Sequence, residues 1–170
     1  MRRLTLMRHA EARWQNAAGD DLARTLSRRG ITAAEAMGKR LLELQLVPDR
    51  VIMGPAQRTR QTANLVAREL TLPPRHVLPE EGLYLASAAD ILGIVRATGP
   101  RIAHLLVVAH NPGLSDLIHQ LLPRGGISTL TSAALCSIEF DAGAWSTIGP
   151  ECVKDVRREV PPARIFGLFR

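Results

Sequence analysis

Arg8 and His9 stand side by side at the end of a short apolar run, Leu4-Thr5-Leu6-Met7. Two later segments repeat that arrangement. Arg50-Val51-Ile52-Met53 leads through Gly54-Pro55 to Arg58, and His104-Leu105-Leu106-Val107-Val108-Ala109 ends in His110-Asn111. Two arginines and two histidines in one place would suit a doubly charged anion, most simply a phosphoryl group. Histidine is a nucleophile only as neutral imidazole, and neighbouring guanidinium groups disfavour its cationic form. With one ring nitrogen pinned by an acceptor, the other is free to attack phosphorus. His9 is therefore the candidate nucleophile, through a phosphohistidine intermediate. Arg8 and Arg58 are candidate clamps for the phosphoryl oxygens, and His110 is a candidate hydrogen-bond donor to the transferring group. No metal or other cofactor is called for, because the arginines supply the positive charge. A metal reading would recruit His9 and His110 with Glu11 or Asp116, but no HxH or HxxxH pair is present.

The elements that would have to position these residues can be read from pattern. Continuous apolar runs bounded by turn signals have the character of buried parallel strands. In an open α/β sheet, ligands bind beyond the carboxyl ends of such strands. The three runs are expected to deliver Arg8, His9, Arg58 and His110 to one sheet edge. Between them, Ser27 can cap a helix whose apolar face is Ile31, Ala34, Met37, Leu41 and Leu44, with Pro48 beyond its end. Arg58 opens a second helix with Ala63, Val66, Ala67 and Leu70 buried. A cation in a first turn opposes the helix dipole, a mismatch that a bound anion would repair. Val77-Leu78 suits a short strand, and Ser87-Ala88-Ala89-Asp90 has capping-box spacing. Asn111 is expected to cap the helix after His110, near any anion held there, which makes it a further candidate phosphate ligand. Ala134 to Phe140 alternates as a strand, Trp145 to Ile148 is expected to pair back on it, and one more strand is expected after Val153. Together these imply an α/β fold: a three-layer sandwich, residues 1–170 as one domain, with a mostly parallel central sheet and helices on both faces.

At 170 residues the chain is long enough for one well-filled core. It carries a formal charge of +6. No aromatic residues are interleaved with the basic ones and no nucleic-acid motif is present, so the charge is read as favouring anionic substrates and acidic partner faces rather than nucleic acid. No apolar run approaches the roughly 18–20 residues needed to cross a bilayer. The apolar run behind Arg2-Arg3 stops at Met7, too short for a signal peptide. Cys136 and Cys152 have no CxxC spacing and are expected to be reduced. A cytoplasmic protein without membrane attachment is the expectation.

Three segments carry a family resemblance that covers nearly the whole chain. Arg8-His9-Ala10 resembles the Arg-His-Gly signature of the histidine phosphatase (phosphoglycerate mutase-like) superfamily. Gly54-Pro55-Ala56-Gln57-Arg58-Thr59-Arg60-Gln61-Thr62-Ala63 resembles its Ser-Pro-x-x-Arg-x-x-Gln-Thr-Ala segment. Val107-Val108-Ala109-His110-Asn111-Pro112-Gly113 resembles its Val-Gly-His-Asn-Pro segment. Ala10 and Ala109 stand where the family has glycine, and Gly54 stands where it has serine. Asp21-Leu22-Ala23-Arg24-Thr25-Leu26-Ser27 resembles an Asp-x-x-Arg-Pro-Leu-Thr segment, which makes Arg24 a candidate pocket residue beside the reading as a solvated loop arginine. Length and detail point to the SixA-like branch, the phosphohistidine phosphatases. The resemblance implies a phosphorylated protein of a histidine-kinase relay as substrate, and a pocket left open by the lack of a roofing insertion. A small-molecule phosphomonoesterase and a non-catalytic phospho-group binder remain the alternatives. A phosphomonoesterase would need a carboxylic acid for its leaving group. Glu80 and Glu81 are the nearest match to where larger relatives place one, and Glu11 is a second candidate.

Overall fold

The computed structural model describes residues 1–14, 19–125 and 129–163. Six strands form one sheet: β1 (Arg2–Arg8), β2 (Arg50–Met53), β3 (Val77–Pro79), β4 (His104–Ala109), β5 (Leu135–Phe140) and β6 (Val153–Glu159). Their spatial order is β3-β2-β4-β1-β5-β6. The first four are mutually parallel, and β5 runs antiparallel to both of its neighbours. Four helices flank the sheet: α1 (Arg28–Glu43), α2 (Gln57–Glu69), α3 (Ala88–Arg96) and α4 (Gly113–Leu121).

The pleat explains why β1 and β4 are apolar without interruption. Leu105 and Val107 point into one core with Ile91, Leu114, Leu117, Phe140 and Trp145. Leu106 and Val108 point into the other with Met37, Leu41, Val51 and Val66. Successive residues face opposite layers, so a strand covered on both sides has no polar positions to spare. Each fully buried leucine here contributes about 1.5–3 kcal/mol relative to an exposed one. Helices therefore cover both faces, as the pattern predicts. The parallel register pairs Arg8 with Ala109 and Met53 with Val108, so β1, β2 and β4 end level with one another. That common edge is where the site forms.

Helix starts follow local chemistry. The Ser27 hydroxyl accepts from Gly30 N at 3.0 Å, and Ser87 forms a capping box with Asp90. Two expectations are corrected. Trp145 to Ile148 is not a strand but a 3-10 turn over Trp145–Thr147, with Trp145 Nε1 donating to Ile102 O at 2.7 Å. Trp145 and Ile148 are three residues apart and both buried, the spacing that a 3-10 turn places on one side. The strand that pairs with β5 is β6 instead. Asn111 does not cap α4 either: the residue at that position is Pro112, without a side-chain cap. Asn111 accepts from the Ser115 hydroxyl at 2.8 Å and donates to Leu130 O at 2.7 Å. The polar stretch Gly125 to Thr131 and the segment after Pro162 include residues 126–128 and 164–170, which lie outside the described residues.

Candidate active site

His9 follows β1, and its backbone N–H still donates to Ala109 O at 3.1 Å, which ties it to the end of β4. Its ring Nδ1 lies 2.8 Å from the carbonyl of Ala10. A carbonyl can only accept, so Nδ1 carries the proton and Nε2 keeps its lone pair. His110 follows β4, with its ring centroid 5.1 Å from that of His9 and the planes at 65°. His110 Nδ1 lies 3.4 Å from Arg58 Nη2. A guanidinium can only donate, so Nδ1 of His110 is the acceptor and its Nε2 carries the proton. That Nε2 is buried with no hydrogen-bond partner. The two histidines thus present opposite faces: a bare nitrogen on His9 and an unused N–H on His110.

Arg58 sits in the first turn of α2 and is only 4% exposed. Thr62 Oγ1 donates to its carbonyl at 2.7 Å and accepts from Ala10 N at 3.0 Å, which locks α2 against the segment after His9. Arg8 Nη1 donates to Leu130 O at 3.1 Å, while its Nε is buried and unpartnered. The His9 pKa is pushed down from 6.5 to about 4, first by burial and then by Arg58, Arg8 and Arg24. His110 is pushed down to about 4 as well, by burial and then by Arg58. Lowering by the arginines is the expected direction, but burial is the larger cause. Both imidazoles are neutral at neutral pH.

Two residues join the site that motif reasoning gave no role. Arg58 Nη1 donates to the backbone carbonyl of Asp21 at 2.8 Å, and Nη2 donates to Asp21 Oδ2 at 3.0 Å. The Tyr84 hydroxyl donates to the same Oδ2 at 2.9 Å, and its ring stands edge-on to His110 with centroids 5.9 Å apart. Burial acts to raise the Asp21 pKa, but hydrogen bonds from Tyr84, Arg58 and Arg24 and the charge of Arg58 together outweigh it and hold the carboxyl below the usual carboxylate range. The loop bearing Asp21 is closed at its neck. Ala12 bridges Leu26, Arg13 N donates to Thr25 O at 2.8 Å, and Ser27 N donates to Glu11 O at 2.9 Å. Gln61 on α2 accepts from Leu26 N at 2.7 Å and fixes that neck to the helix carrying Arg58. The Asp-x-x-Arg spacing was the available signal for Asp21. Tyr84, the single tyrosine, had none.

The remaining candidates are placed differently. Arg24 approaches through Asp21, with Nη1 3.4 Å from Oδ1, while its Nε donates to Arg13 O at 3.2 Å. It bears on His9 as a nearby positive charge. Asn111 has its amide engaged by Leu130 and Ser115, which makes it a brace for the site rather than a free ligand. Glu11 accepts from the Ser27 hydroxyl at 2.9 Å. Glu80 accepts from Gly82 N and lines a groove with Arg50, Leu78, Ile94 and Thr98 that excludes the histidines. Glu81 is exposed on the next turn. Among the described residues, no hydrogen bond joins these three glutamates to His9, Arg58 or His110.

A neutral histidine with one free nitrogen, two arginines and an unused N–H all lie at one sheet edge. A sequence profile of the histidine phosphatase superfamily (branch 1) matches residues 4–80, which include Arg8, His9 and Arg58. Phosphohistidine phosphatase SixA of Escherichia coli (strain K12) is 30% identical over 148 residues, 84% of this chain and 88% of that protein. The chain belongs to the histidine phosphatase superfamily. A putative phosphohistidine phosphatase SixA from Nakamurella multipartitia superposes on this histidine phosphatase with a TM-score of 0.80 at 25% identity, over 94% of this chain and 96% of that one. A protein histidine phosphatase SixA solved with tungstate has a TM-score of 0.78 at 24% identity, over 96% and 99% of the two chains, and shares the fold.

Proposed function

We propose that this histidine phosphatase removes phosphoryl groups from phosphohistidine in proteins, by way of a phosphohistidine on its own His9. Nε2 of His9 attacks phosphorus as the substrate P–N bond breaks, and the departing imidazole nitrogen takes a proton from solvent. Water then cleaves the His9–phosphorus bond, releasing phosphate and restoring neutral imidazole. Arg8 and Arg58 hold the phosphoryl oxygens through the loose, in-line transition state, and His110 donates its free Nε2–H to one of them.

The observation that carries the P–N reading is the state of the carboxylates. Glu11 and Glu80 make their side-chain contacts elsewhere, and Glu81 is exposed. Asp21, which touches Arg58, is held ionised and is a poor proton donor. An alkoxide leaving group needs such a donor, and removing one typically costs ~10²–10⁴-fold. An imidazole leaving group does not. A protein substrate is supported by exposed apolar side chains on segments next to site residues: Trp14 is 90% exposed on the segment leading to Asp21, Leu22 adjoins Asp21, and Leu85, 64% exposed, adjoins Tyr84. Both cysteines are free thiols, which suits the cytoplasm as the site of action.

The test is kcat/KM for a phosphohistidine protein beside an alkyl phosphate, together with trapping of the intermediate. Labelled substrate quenched without acid should leave protein-bound phosphate that is stable to alkali and lost in acid. His9→Ala should lose both label and activity. Glu11→Gln, Glu80→Gln and Glu81→Gln should each retain phosphohistidine turnover within about tenfold, below the range expected for loss of a required acid. A wild type that prefers the alkyl ester, with one glutamate variant losing that activity, would establish the phosphomonoesterase instead.

A further inference from the structure

The loop at Asp21 brings a negative charge to a pocket otherwise made of guanidinium groups and neutral imidazoles. Asp21 is not needed as a cap, because Asp20 accepts from Leu22 N at 3.0 Å and starts the turn by itself. Nor does holding Arg58 require a charge: the Asp21 backbone carbonyl already takes Nη1 at 2.8 Å. The carboxylate adds a second grip, Oδ2 on Nη2 at 3.0 Å, with the arginine side chain 5% exposed and the aspartate side chain 45% exposed. It therefore meets the arginine from the solvent side. The same Nη2 reaches His110 Nδ1 at 3.4 Å, so Asp21, Arg58 and His110 form one chain, with Tyr84 fastening its outer end. A dianion bound to Arg58 has to share that guanidinium with a carboxylate of like charge.

We propose that Asp21 is a positioning residue that holds Arg58 against His110 in the empty site and, by competing for the guanidinium, speeds the release of inorganic phosphate. The inference rests on the phosphatase reading above. Tight binding of product does nothing for turnover, and product release limits many enzymes. A site with two arginines and no counter-charge would hold phosphate longer than a hydrolase can use. Asp21 exchanges affinity for speed.

Inorganic phosphate is the probe, measured by calorimetry and as an inhibitor of turnover. Asp21→Asn keeps an oxygen for Arg58 and removes the charge. It should bind phosphate about tenfold more tightly while kcat falls several-fold, with phospho-His9 still forming in a burst. Loss of an ordinary structural contact would weaken phosphate binding, so the sign of the change is diagnostic. Asp21→Glu restores the charge and should return phosphate affinity towards wild type. Tyr84→Phe removes a hydrogen bond from the same oxygen but no charge, and should keep phosphate affinity within about twofold. Thermal midpoints of all three report whether the fold survives. Phosphate binding that is weakened or unchanged in Asp21→Asn, with Asp21→Glu the same, overturns the inference. A wild type that binds phosphate but never labels His9 overturns the phosphatase reading alone, since calorimetry measures affinity without turnover.

Discussion

The Ala10 carbonyl gives His9 its tautomer without giving it a negative partner, and this sets its titration. A carboxylate on Nδ1 would stabilise the imidazolium; burial and three arginines instead push the pKa down to about 4. NMR titration of the free protein should find both His9 and His110 neutral from neutral pH down to about 5, with midpoints near 4. A midpoint near the ordinary 6.5 would show that the arginines and burial do not govern His9. His104 is an internal control. It sits at the opposite end of β4, bonded through Nε2 to Thr5 Oγ1 at 2.8 Å, and is also pushed down to about 4, mainly by burial. All three have folded values below the unfolded one, so their contribution to stability is complete above about 6.5 and is lost as pH falls through about 4. Denaturant midpoints should decline over that window, and replacing His104 by a neutral residue should flatten the decline. On the proposed role of Arg58 in holding transition-state charge, Arg58→Ala should cost kcat/KM on the order of 10²-fold or more. Arg58→Lys should recover little, since an ammonium cannot grip Asp21 with two nitrogens and still reach His110.

At the level of elements, the strands and helices were legible because burial imposes a period. The runs ending in His9 and His110 face two cores and had to be apolar throughout, and α1 and α2 carry their stripes at spacings of three and four. Arg58 was legible for a further reason, as a cation placed where a helix dipole disfavours one. Tyr84 was not, and for Asp21 only the Asp-x-x-Arg spacing spoke, because their partners lie 63 and 37 residues away along the chain and no local period encodes such a meeting. The strand expected at Trp145 failed where apolar residues three apart served a tight turn. Asn111 failed as a cap because Ser115 and Leu130 claim its amide. The approach of α4 to the segment after Tyr84 was equally invisible. A Cβ on Gly113 would meet the Ala86 carbonyl oxygen at 2.0 Å. Gly113→Ala should therefore destabilise by about 1–3 kcal/mol. It should also lower kcat, because the backbone that must yield is the one that seats Tyr84 against Asp21. Paired unfolding and kinetic measurements would test this, and a variant with wild-type stability would show that the contact relaxes freely.

For the whole molecule, net charge and exposed apolar side chains bear on how a protein substrate would meet the site. The protein carries +6 overall, and Trp14, Leu22 and Leu85 stand exposed on the segments that bear Arg13, Asp21 and Tyr84. An acidic phosphoprotein would be steered to such a surface, so its KM should rise with ionic strength. Trp14→Ala should raise that KM by about tenfold, as loss of an aromatic anchor does. The rate on a small phosphoramidate should stay within about twofold. Equal losses on both substrates would place Trp14 in the chemistry instead of the encounter. The closed neck of the loop between Arg13 and Thr25 has a separate consequence for engineering. Its stem is secured by Ala12 to Leu26, by Ser27 to Glu11 and by Gln61, none of which depends on the residues at the tip. Lengthening a loop of this kind costs only about 0.6 kcal/mol per doubling. The excursion is therefore a cassette: with Asp21 and Arg24 kept in place beside Arg58, the rest can be exchanged for a longer or differently charged one, and substrate choice retuned, while His9 and its sheet remain as they are.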